Sequence, residues 1–76
     1  MSSEEEALHQ QLHWVKYRIQ ILELIEEKLK EIRSLALQIR DTRPDRTETI
    51  RIQDRVNELM TEIRELEQSL YVKGLH

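Results

Sequence analysis

The chain has 76 residues, of which 36% are charged and 4% aromatic, with one Gly, one Pro, no Cys and a net charge of −3. The absence of cysteine excludes a disulfide scaffold, a thiolate zinc site and a thiol nucleophile. The acidic balance gives no general attraction to nucleic acid, and the length supports one domain, 1–76.

In chain order, Ser3 followed by Glu6 reads as a capping box, with Glu4 and Glu5 adding acid where the helix dipole favours it. Leu8, Leu12, Val15, Ile19 and Leu22 then begin an apolar run that continues through Ile25, Leu29, Ile32, Ala36 and Ile39. Every step is 3 or 4 residues, which predicts one amphipathic helix over about 4–41. Pro44 disfavours helix at Arg43 and is tolerated in the first turn of a following helix. The turn is therefore expected at about 42–45. Asp45 with Glu48 gives a capping-box-like start for the second helix, and Thr42 with Asp45 is an earlier alternative. Ile52, Val56, Leu59, Ile63, Leu66 and Leu70 then form a strict heptad stripe, giving a second helix over about 46–73. Gly74 fits a left-handed helix end, with Leu75 placed to touch Leu70.

Two helices joined by so short a turn lie antiparallel. The fold class is all-α, a coiled-coil-like two-helix hairpin. Folding the chain about residue 44 pairs Ala36 with Ile52, Ile32 with Val56 and Leu29 with Leu59. Ile25 then meets Ile63 and Leu22 meets Leu66, and the two numbers of every pair add to 88. Ile19 with Leu70 departs from this register by one, so packing is expected to shift there.

The first helix has more apolar surface than one partner helix can cover. Trp14, Tyr17, Ile21 and Leu24 form a flank beside the stripe. The first helix also outruns the second, so Leu8 and Leu12 sit on an overhang. Together with Tyr71 at the same open end, these residues are the expected interface. Small scaffolds without staples commonly oligomerise, and a symmetric dimer is the simplest closure. Two hairpins are therefore expected to form a four-helix bundle, with a homodimer or tetramer as the working state and another protein as a further partner.

Other constellations have bland explanations. His9 and His13 share a helix face at a metal-site spacing, with His76 expected near them, but a third strong ligand is missing. No metal or cofactor is expected. Arg40, Arg43, Arg46, Arg51 and Arg55 gather at the turn, where a phosphate backbone could bind. Asp41, Asp45, Glu48 and Asp54 are interleaved with them, so local ion pairing is the simpler expectation. No signal peptide or membrane span is visible, and the expected location is cytoplasmic.

The stretch from Ile21 to Lys28, followed by Ile32 and Arg40, resembles the first helix of the all-helical chorismate mutases. The resemblance implies a dimeric enzyme with Lys28, Arg40 and a carboxylate in an interhelical pocket. It covers about 20 residues, Lys28 stands where that family has an arginine, and the family's third helix has no counterpart. The hairpin shape also resembles small helical aspartyl-phosphate phosphatases. Their hallmark is missing, and the nearest segment is Ile52, Gln53, Asp54, Arg55 and Val56. The residues themselves favour a non-enzymatic module for protein interaction, assembly or regulation.

Overall fold

In a computed structural model, which describes residues 2–74 and the side chains of residues 2–71, the chain forms two helices. They are α1 (Ser3–Thr42) and α2 (Arg46–Gly74), packed against each other as a hairpin. Ser2 caps α1: its backbone is extended and its Oγ accepts the Glu5 N–H at 3.2 Å. The cap lies one residue before the expected Ser3–Glu6 box. With Ser2 as cap, Ser3 becomes the first helical residue, and Glu4, Glu5 and Glu6 all fall in the first turn. Their charge then lies where the unpaired N–H groups are concentrated.

The turn is residues 43–45. Thr42 belongs to the last turn of α1, where its hydroxyl donates back to the Gln38 carbonyl at 2.7 Å. Arg43 takes the left-handed conformation (φ 45°, ψ 61°), and its N–H closes α1 on the Ile39 carbonyl at 3.2 Å. Asp45 caps α2: its Oδ1 accepts the Glu48 N–H at 2.8 Å and its carbonyl accepts the Thr49 N–H at 2.9 Å. Of the two expected caps, Asp45 is the one used. The Glu48 side chain turns to Arg51 and does not complete a reciprocal box. Gly74 is the last residue of α2 and not the left-handed position after it that the sequence suggested, and Leu75 lies outside the described residues.

The α2 stripe is as expected. Ile52, Leu59 and Ile63 are buried, and Val56, Leu66 and Leu70 are half-buried. The α1 stripe differs. The seam there is Ile21, Ile25, Lys28, Ile32, Leu35 and Ile39, buried or half-buried at steps of 4 and 3. Leu22, Leu29 and Ala36 are exposed instead. Ile25, Ile32 and Ile39 belong to the seam in either arrangement, so the correction is a rotation of α1 by about 50° about its axis. The apolar pattern alone favours Leu22, Leu29 and Ala36 because the other column contains a lysine. The structure accommodates Lys28 by laying its stem along the seam while the ammonium reaches Glu62 at 2.9 Å. The bulkier Leu35 then fills the place that Ala36 would have taken.

The antiparallel register survives the rotation. Lys28 pairs with Glu62, and Glu31 with Arg55, and their residue numbers add to 90 and 86, on either side of 88. The result is a rod of 63 × 19 × 13 Å. Its radius of gyration is 18.3 Å, against about 11 Å for a compact chain of this length. Residues 2–16 are exposed throughout, as the expected overhang requires.

A non-glycine residue in the left-handed region costs roughly 1 kcal/mol. Arg43→Gly is therefore expected to leave the hairpin at least as stable and to raise it by up to about 1 kcal/mol, once the greater freedom of glycine in the unfolded chain is set against the relief. Thermal melting followed by circular dichroism checks this, and a clear drop in melting temperature would count against the turn geometry.

Candidate interaction surface

Heptad letters make the two sides of the hairpin explicit, with Ile25 and Val56 each taken as an a position. The a and d residues of both helices make the seam. In an antiparallel pair, the g residues of both helices flank the seam on one side and the e residues on the other.

The g side is closed by ion pairs. Arg55 donates to both carboxylate oxygens of Glu31, at 2.8 and 3.3 Å, and to Glu58 at 3.1 Å. One turn away, Lys28 donates to Glu62 at 2.9 Å. Both interhelical pairs are half-exposed, so their net stabilisation is modest. They hold the Glu62 carboxyl below its usual range, chiefly through the hydrogen bond from Lys28. The Arg55 guanidinium is raised further above its already high value by its bonds to Glu31 and Glu58. Leu24, Lys28, Glu62, Glu65, Leu66 and Ser69 line a shallow hollow of about 400 Å³ on this side.

Along α1 the e side is apolar. Leu8, Val15, Leu22, Leu29 and Ala36 form an unbroken e column on α1 at seven-residue spacing, and Leu12 and Ile19 stand beside it at b. On α2 the same side mixes Ile50, Met60 and Tyr71 with the polar Gln53, Asn57, Arg64 and Glu67. Among the described residues twelve large apolar side chains stay exposed, and nine of them lie on this one face. The other three are Trp14, Leu24 and Leu37. Single exposed apolar residues are ordinary, whereas a contiguous stripe of this length is not. The accessible area of the chain is 6571 Å². A compact monomer of this mass would expose about 4,900 Å², and a standard interface removes about 800 Å² from each partner.

The expected interface residues divide as follows. Leu8, Leu12 and Tyr71 lie on the apolar face, exposed by 54–70%. Trp14 is 39% exposed and packs edge-to-face on the half-buried Tyr17, centroids 6.1 Å apart, where α2 runs out. Leu24 is exposed, but on the ion-paired side. Ile21 is the correction: it is 8% exposed and belongs to the hairpin seam. Ile19, Leu22 and Leu29, expected from sequence in the hairpin core, are left uncovered instead. The strict seven-residue recurrence of Leu8, Val15, Leu22, Leu29 and Ala36 was the signal for a second seam.

The remaining constellations stay dispersed. His9 and His13 are exposed on the overhang, beside an open concavity bordered also by Gln10 and Trp14. His76 lies outside the described residues. Among those described, no three His, Asp or Glu side chains converge as metal ligands. Lys28 is engaged by Glu62, and Arg40 bonds Asp41 at 2.8 Å. Those two cations lie about 18 Å apart along α1, so one hairpin does not bring them into a common pocket. At the tip Arg51 pairs with Glu48, holding that carboxyl below its usual range. No described helix is long and apolar enough to cross a membrane. No family model, curated protein or solved structure matches the chain.

A carboxyl whose pKa is depressed by folding contributes stability that is fully present above its unfolded value and lost as pH falls through its folded one. For Glu62 that loss begins below its usual pKa of 4.5. Glu62→Gln should therefore lower the melting temperature at neutral pH and flatten its decline in acid. Melting curves between neutral pH and strong acid test this, and two parallel profiles would show that the Lys28–Glu62 bond does not couple folding to protonation.

Proposed function

We propose that this chain is a small, non-enzymatic helical interaction module that acts as a homo-oligomer, two hairpins joining through their apolar e sides into a four-helix bundle. The observation that carries the reading is the clustering of exposed apolar residues on one broad face while the opposite side is closed by ion pairs. A hairpin built to act alone has no use for that asymmetry, because the uncovered stripe contributes nothing to its own seam. In a bundle of two hairpins the stripe becomes core, and the ion-paired sides become the outer surface. The reading assigns the protein an assembly or regulatory role, in which the bundle is the working unit and its outer surface meets further proteins.

Leu22 is the discriminating position, since it is exposed in the hairpin and central in the stripe. Leu22→Glu should abolish self-association while leaving the helical circular dichroism signal of the hairpin. Light scattering reads the mass. Ile21→Glu, one residue away, should instead unfold the hairpin, since it places a charge in the seam. An oligomer that survives Leu22→Glu would remove the e side as the self-interface.

A further inference from the structure

We infer that the second copy docks with its α1 helix antiparallel to the first, about a two-fold axis near Leu22, so that each overhang lies along the other copy's hairpin stem. The inference rests on the self-association proposed above and adds its direction and register.

Four observations support it. First, the uncovered e column runs from Leu8 to Ala36, and Leu22 is its midpoint. Turning the helix end for end about that point lays the column on itself, with Val15 facing Leu29 of the second copy, as an isologous interface requires. Second, Glu4, Glu5 and Glu6 occupy the first turn of α1, and in this register Glu4 stands level with Arg40 of the second copy, which also carries Asp41 beside it. Antiparallel pairing sets acid beside base at both ends. Parallel pairing would gather six glutamates at one end and oppose Glu26 to Glu26 and Arg33 to Arg33, like-charge contacts that an interface avoids. Third, the helix dipoles of the two long helices cancel only when they run in opposite directions. Fourth, the overhang and the stem are complementary deficits. Residues 2–16 are exposed, and so are Leu29 and Ala36 on the stem. The antiparallel register places one against the other, so the apolar residues of both are covered in a single contact.

The test uses spin labels, and the chain has no native cysteine to interfere. Gln10→Cys and Ser34→Cys lie off the e column at equal distances from Leu22, and both positions are exposed. In the antiparallel dimer two labels at position 10 stand 24 residues apart along the axes, about 36 Å. A mixed dimer labelled at 10 on one copy and 34 on the other should give a short distance, about 10 Å between helix axes plus the label arms. A short distance between labels at position 10 would show parallel pairing and overturn this inference while leaving self-association standing. A labelled chain that stays monomeric by light scattering would overturn both.

Discussion

The constraint on which everything else rests is that α1 carries two apolar seams and α2 can fill only one of them. The seams lie about 100° apart around the helix. One is made of a and d residues and closes on α2. The other, the e column with its neighbours Leu12 and Ile19, faces away from α2 along most of the length of α1. A hairpin of two helices has a single contact line. The second seam is therefore surplus in the isolated chain, and the four buried residues among those described, Ile21, Ile52, Leu59 and Ile63, all belong to the first.

Which seam closes intramolecularly is decided by charge as much as by apolar area. The e column would give a lysine-free contact, and it remains outside. The Lys28 column is taken where Glu62 and Arg55 stand on the matching flank of α2, facing Lys28 and Glu31. Exposed ion pairs contribute little to net stability. They nevertheless distinguish two rotations of α1 that differ little in apolar content, which is the use of charge in specifying register and face. The same arrangement leaves one side cross-linked by ion pairs and the other carrying the apolar column of α1. A hairpin so divided has a defined direction in which to associate.

The extent to which this was legible in the sequence follows from the kind of signal each feature leaves. Helix limits, the turn and the antiparallel register came from steps of 3 and 4, from Pro44 and from Asp45, all local signals that tertiary packing did not override. The α2 stripe was unambiguous because α2 has only one. On α1 two stripes share the central helix, and a count of apolar residues selects the wrong one, since it penalises Lys28 without seeing Glu62 across the seam. The interhelical charge pairs held the missing information: at a register of 88, Lys28 and Glu62, and Glu31 and Arg55, fall near each other only on one flank. The Ser2 cap illustrates the smaller limit, because two adjacent serines offer equivalent caps and either one leaves Glu4, Glu5 and Glu6 in the first turn.

The central claim is that the second seam of α1 is an interface between copies of this chain. The most direct measurement is sedimentation equilibrium of the unmodified protein at neutral pH, from micromolar to millimolar concentration. The account predicts a mass of twice the chain that persists on dilution, as burial of a continuous apolar stripe requires. A chain that sediments as a monomer across the whole range, with its helical signal intact, would contradict it.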